Sequence, residues 1–286
     1  MGRGSGITSS SDGTKLAARF FNGNIWTSVD SGATWTENSV GSPKDWASIT
    51  SSSDGTKLAA VVVGGNIWTS TDSGVSWTPS STPATAGLTW YSITSSSDGT
   101  KLAAVVNNGN IWTSSDSGAT WAEDMSVGSP KAWYSITSSS DGTKLAATVN
   151  NGNIWTSSDS GALWTEDTSV GSPKDWRSIT SSSDGNKLAA VVPGGNIWTS
   201  VDSGATWTSR ASTQFWTSIT SSSDGTKLAA VVYPGNIWTS SNSGATWTED
   251  TSVGSPKEWL SITSSSDGNK LAAIPRTGYI WTGVYA

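Results

Sequence analysis

Residues 92–124 read SITSSSDGTKLAAVVNNGNIWTSSDSGATWAED. Four short runs can be separated in it: SITSS from Ser92, KLAAVV from Lys101, NIWTS from Asn110 and TWAE from Thr120. Each is rich in Thr, Val, Ile or Trp and bounded by Gly, Asn, Asp and Ser, which is the pattern of strands separated by turns. We label the strands a, b, c and d. The a–b connection contains Asp98-Gly99, a pair that supplies the positive φ of a tight hairpin. The b–c connection, Asn107-Asn108-Gly109-Asn110, is turn chemistry again. No 3.6-residue apolar period is present, and Ser, Thr, Gly and Asn are too frequent for stable helices.

This stretch is one unit of seven. The SSSDG motif places Asp at 12, 54, 98, 141, 184, 224 and 267, and the IW motif places Trp at 26, 68, 112, 155, 198, 238 and 281. Both series advance by 42, 44, 43, 43, 40 and 43 residues. Seven such units predict an all-β chain, a seven-bladed β-propeller of four-stranded antiparallel blades with strand a innermost. The chain is then one domain, with blades at about 7–45, 46–89, 90–132, 133–175, 176–215, 216–258 and 259–286. Unit seven closes on GYIWTGVYA, strand c with no strand d after it, so the last blade is expected to be three-stranded. Its strand c, Tyr279 to Thr282, is then expected to be an open edge, either a place for self-association or the point where a segment of a longer protein is missing.

Composition removes much chemistry. The chain has neither Cys nor His, so thiolate and imidazole metal sites, cysteine nucleophiles and His-dependent triads are excluded. We expect no metal and no cofactor. A net charge of −6 argues against nucleic acid as a partner. The start, MGRGSGITSSSDG, has no apolar leader, and no run approaches the roughly 20 apolar residues of a bilayer span, so membrane insertion is not expected.

Between strands c and d a motif recurs as SVDSGATW from Ser28, STDSGVSW from Ser70, SSDSGATW from Ser114, SSDSGALW from Ser157, SVDSGATW from Ser200 and SNSGATW from Ser241. It resembles the Asp-box, or BNR repeat, of sialidase-like and sortilin-like propellers, and the match covers six of the seven units. The box acids are Asp30, Asp72, Asp116, Asp159 and Asp202, with Asn242 in unit six. The aromatic ends are Trp35, Trp77, Trp121, Trp164, Trp207 and Trp247. The resemblance implies a structural role: the carboxylate accepts hydrogen bonds within its own turn while the Trp packs into the blade. It also favours an extracellular location. Asn242 supports the turn reading, since an amide oxygen accepts hydrogen bonds yet does no acid–base work.

Connections alternate ends in an antiparallel blade, so a–b and c–d turns share one face, and b–c turns share the other with the d–a loops. The resemblance implies that the second face carries function. Acids outside the turns and boxes fall on or beside the d–a loops: Asp45, Asp124, Asp167, Asp175 and Asp250, with Glu37, Glu123, Glu166, Glu249 and Glu258. Glu123-Asp124, Glu166-Asp167 and Glu249-Asp250 are copies of one feature, whereas a glycosidase needs two carboxylates in unlike surroundings. Arg3, Arg19, Arg177, Arg210 and Arg276 occupy unlike repeat positions, so the sialidase arginine cluster has no counterpart, and no enzyme is expected.

Six tryptophans, Trp46, Trp90, Trp133, Trp176, Trp216 and Trp259, head strand a. They read either as wedges between blades or as rim platforms on which a sugar stacks. The other thirteen read as core. The b–c turns vary between units, and the notches beside them give the ligand-binding candidates Trp90, Asn107, Asn108, Trp133, Asn150, Asn151 and Trp176. The expected function is a non-catalytic multivalent binding module, lectin-like, taking a glycan or protein ligand on the d–a/b–c loop face. The alternative is a structural or protein-interaction scaffold, and a glycoside hydrolase comes third.

Overall fold

The computed structural model describes residues 5–41, 43–81, 86–254 and 256–285; Arg3 lies outside them. Its strands form seven consecutive antiparallel blades of a β-propeller, and no described residue is helical. Blade 3 sets the pattern, with strand a at Leu88–Ser95, b at Leu102–Gly109, c at Ile111–Ser114 and d at Ala122–Asp124, paired in that order. Blade 7 has three described strands, Trp259–Ser264, Lys270–Pro275 and Trp281–Val284. Each strand a touches the strand a of both neighbouring blades. The one in blade 7 touches Gly6–Ser9 of blade 1, so these strands line the axis of a closed ring.

Strand b shows why blades stack. Successive side chains point to opposite faces of a strand, and KLAAVV is apolar on both. In blade 3, Leu102, Ala104 and Val106 pack against blade 2, while Ala103 and Val105 pack against blade 4. Seven clusters of buried side chains fill the seven junctions in this way.

A tryptophan heading strand a occupies six of those junctions. Trp46, Trp90, Trp133, Trp176, Trp216 and Trp259 are 0–1% exposed, more buried than any IW or turn tryptophan. The indole N–H groups of Trp90, Trp176 and Trp259 donate to the carbonyls of Gly65, Gly152 and Gly235 in the preceding blade, at 3.1–3.3 Å. Around Trp133 the rings of Trp155 and Trp164 lie at 6.1 and 6.4 Å. These residues are therefore wedges, and the sugar platform expected of Trp90, Trp133 and Trp176 is not there. The b–c notch is closed as well. Strand b does not stop before the turn: Asn107 and Gly109 pair with Ala132 and Lys131 at the head of the next strand a, and Asn150 and Gly152 pair with Asp175 and Lys174. In unit five, three residues shorter, Thr208–Ser221 runs unbroken from strand d of blade 5 into strand a of blade 6.

The opposite face is held by two polar turns. In the first SSSDG turn the Ser10 hydroxyl donates to Asp12 at 2.6 Å, the Thr14 N–H donates to the same carboxylate, and Gly13 takes φ +69°. The third serine links blades through the backbone. Ser11 N–H donates to the Ser53 carbonyl, Ser53 to Ser97, and onward through Ser140, Ser183, Ser223 and Ser266, whose N–H returns to Ser11, each at 2.6–2.8 Å. In the c–d turn of blade 1, Asp30 accepts from Ser28, the Thr34 N–H and the Thr34 hydroxyl, and the Trp35 indole donates to Gly32. Asn242 accepts from Ser240 and from the Thr246 N–H in the same way, and its amide donates to Thr246.

The junction between blades 7 and 1 differs. Blade 1 has no strand-a tryptophan, so Ile280 is only half-buried whereas its six counterparts from Ile25 to Ile237 are fully covered. The Ile7 N–H reaches the Ser261 hydroxyl of blade 7 at 3.4 Å; it is between blades 1 and 2 that Gly6 stands in place of such a serine. Closure rests on the Ser266–Ser11 bond, the Lys270 ammonium on the Asp12 carbonyl at 2.9 Å, and a cluster of Ile7, Leu16, Ala18, Ala272 and Ile274.

Two outcomes follow. Trp133→Ala should lower the unfolding free energy by about 3–5 kcal/mol in denaturant melts, as for other buried aromatic truncations; Asp116→Asn should stay within about 0.5 kcal/mol, since blade 6 already uses Asn242. Hydroxyl donors hold Asp12, Asp30, Asp54, Asp72, Asp98, Asp141 and Asp224 at a pKa of about 2, below the unfolded value near 3.8. A depressed folded pKa gives stability that is present above the unfolded value and lost on acidification through the folded one. Melting temperature should therefore be flat down to about pH 5 and fall between pH 4 and 2. Each carboxylate is exposed and screened, so the loss is the sum of many small ones.

Candidate functional site

Strand a is nearly invariant except at one position, the residue between Trp and Ser: Ala47, Tyr91, Tyr134, Arg177, Thr217 and Leu260. The pairing of strands a and b slips at this residue. In blade 4, Trp133 faces Val149 and Ser135 faces Thr148, which leaves Tyr134 as the extra residue of a β-bulge. The same slip occurs at Ala47, Tyr91, Thr217 and Leu260. A bulge redirects its side chain, and here the bulged residues line the axial cavity.

That cavity has a volume of about 420 Å³. Its wall combines the bulged residues, the strand-a serines from Ser48 to Ser261, and three side chains from the b–c ends: Arg19, Tyr233 and Arg276. The serines are occupied: Ser48, Ser92, Ser135, Ser178, Ser218 and Ser261 each accept the N–H of the strand-a isoleucine in the next blade at 3.3–3.4 Å. The distinctive groups are therefore arginines and tyrosines.

Arg177 donates to the Tyr134 hydroxyl at 2.6 Å, and its guanidinium carbon lies 4.9 Å from the centre of that ring. Tyr91 packs edge-on against Tyr134 at 5.3 Å. Burial pushes the Tyr134 phenol above its ordinary range, with Arg177 pulling the other way. Across the mouth, Arg276 donates to the Tyr233 hydroxyl at 2.9 Å and meets Glu258 at 3.7 Å. Arg19 donates to the Trp46 carbonyl at 2.9 Å. No Asp or Glu is among the described residues lining the cavity. A chain of net charge −6 thus gathers three arginines at its axis, a local field that draws anionic groups.

The residues expected to bind ligand are elsewhere. Asn108 donates to Asn107 and Asn151 to Asn150 within their turns, while Asn150 donates to Asp175 at the head of the next strand a. None of them lines the axial cavity. The repeated loop acids are also committed: Glu123, Glu166 and Glu249 accept from Asn110, Asn153 and Asn236, while Asp124, Asp167 and Asp250 accept the N–H two residues on. Sequence reasoning missed the axial site; the signal that could have found it is the variation within WxSIT.

Comparison with known proteins gives the fold. No family model and no curated protein matches the sequence. Among solved structures, "YCF48 bound to D1 peptide" is similar with a TM-score of 0.76 and 16% identity over 98% of this chain and 93% of that one. "YCF48 from Cyanidioschyzon merolae" matches with a TM-score of 0.72 and 16% identity over 96% and 93%. The β-propeller domain of Cps50 (Swd1) from Myceliophteria thermophila matches with a TM-score of 0.74 and 15% identity over 100% and 98%.

In a spectrophotometric pH titration, the Tyr134→Phe variant should lose a component that ionises above the ordinary tyrosine value of about 10. Loss of a component at the ordinary value instead would place the Tyr134 phenol in solvent.

Proposed function

We propose that this propeller is a non-catalytic protein-binding scaffold that takes a segment of another protein at the axial mouth on the b–c turn and d–a loop face. The observation that carries the proposal is the composite of Arg19, Arg177 and Arg276 with Tyr91, Tyr134 and Tyr233. Arginine and tyrosine are the side chains that most often dominate protein interfaces, and here they are held by partners on neighbouring blades. Arg177 and Arg276 offer guanidinium edges to carboxylates of an incoming chain, while the rings supply flat apolar contact. The similar YCF48 structure with a bound peptide supports a protein ligand over a sugar. So does the burial of the six strand-a tryptophans. We read the SxDSGxTW turns as Asp-boxes serving the blades rather than the ligand. The committed loop acids support the absence of catalysis.

A fluorescence-anisotropy screen of an acidic peptide library against the intact chain tests this. Binding should weaken about tenfold in Arg177→Gln and in Arg276→Gln, the scale expected when one charge-assisted hydrogen bond is removed from an interface. It should also weaken with added salt. Equal binding by both variants, or saturable binding of neutral glycans in place of peptides, would overturn the reading.

A further inference from the structure

One cross-strand pair is kept in six blades and broken in the seventh. In blades 2 to 7 a strand-a serine faces a valine, threonine or isoleucine of strand b, as Ser48 faces Val61 and Ser178 faces Val191. The strand-b member is 0–1% exposed in all six. In blade 1 the pair is Gly6 and Arg19. Each half gives up stability. The glycine lacks the hydroxyl that elsewhere accepts the isoleucine N–H of the next blade, and a guanidinium group stands where six blades bury a side chain completely.

The two changes fit each other. A Cβ at Gly6 would lie 2.7 Å from the Nε of Arg19 and 3.2 Å from its Cζ, so the guanidinium fills the space of the missing serine side chain. From there its Nη1 donates to the Trp46 carbonyl of blade 2 at 2.9 Å. The residue after Trp46 is Ala47, the smallest of the six bulged residues, and it lines the axial cavity together with Arg19. Local rules broken together on a cavity wall mark a place kept for function at the expense of stability.

We infer, resting on the reading of the axial mouth as a site for an acidic segment, that Gly6 positions Arg19 as a second anion subsite opposite Arg177, and that the segment carries an acidic side chain for each. Arg19 belongs to blade 1 and Arg177 to blade 5, three steps apart in a ring of seven and as far as two blades can be. Both line the cavity, so they border the axis from opposite sides. Arg276, between them in the ring, is already offset by Glu258 at 3.7 Å. An extended backbone sends successive side chains to opposite sides, so two adjacent acids on one segment reach both walls.

Two blocked peptides carrying the same neutral dye, one with adjacent glutamates and one with the second glutamate exchanged for glutamine, are titrated against the whole chain by fluorescence anisotropy. Wild type should bind the two-glutamate peptide about tenfold more tightly, the scale of one hydrogen bond to a charged group. Arg19→Val and Gly6→Ser should each erase that preference. Affinity for the single-glutamate peptide should stay within about twofold, and combining the two changes should bring no further loss, because Gly6 acts only through Arg19. The double variant also gives blade 1 the serine–valine pair of blade 5, and its melting temperature should lie about 2 °C or more above wild type. A preference kept by either single variant, or a double variant that melts below wild type, would overturn the inference and leave the axial site standing. Failure of both peptides to bind any form would bring down the axial reading and this inference with it.

Discussion

The ring depends on filling the space between neighbouring blades. Each sheet is apolar on both faces, so no blade can be stable with either face open. The filling is a pairing of opposites: one buried indole set among small side chains such as Ala60, Ala104, Ala147 and Ala190, all completely covered. Close packing of this kind loses several kcal/mol when a single large group is removed. Polar contacts then fix the angle at which blades meet, through the circle of serine backbone bonds on one face and the short ladders between strand b and the next strand a on the other.

Period and turn chemistry made the architecture legible. Seven phased aspartates and tryptophans announced the blade number, and alternation of connections announced the two faces. The heads of strand a were harder to read. GSPKDW looks like a polar loop ending in an exposed aromatic, because its partner, the end of the preceding strand b, lies in another unit and reads as a turn of its own. The bulge was hidden for a related reason. A residue is bulged relative to a partner strand, and sequence periodicity carries no trace of that relation until the pairing is known. Asn107 and Asn150 drew attention by varying, and they vary in the turn; Tyr134 and Arg177 vary at the axis.

Repetition and function are separated in this molecule. What recurs in the units, from Asp116 in its turn to Glu123 on its asparagine, holds a blade together. Residues that differ between units converge where the innermost strands meet, so six side chains of five kinds, one from each of six blades, form one surface. A symmetric scaffold thereby produces an asymmetric site: Tyr91, Tyr134 and Arg177 gather on one side, and Tyr233 and Arg276 on the other.

The junction that lacks its tryptophan also has meaning for how the chain reaches its native state. Blade 1 meets blade 7 across 258 residues of sequence, the most distant contact a folding chain of this kind must find. Six blades built from near copies offer six near-equivalent surfaces, an invitation to dock in the wrong place. Five of the wrong choices, blades 2 to 6, already present a bulky indole at the head of strand a, and only blade 1 offers a bare one. The missing side chain thus leaves the contact that spans most of the chain as the one junction without a fully buried indole.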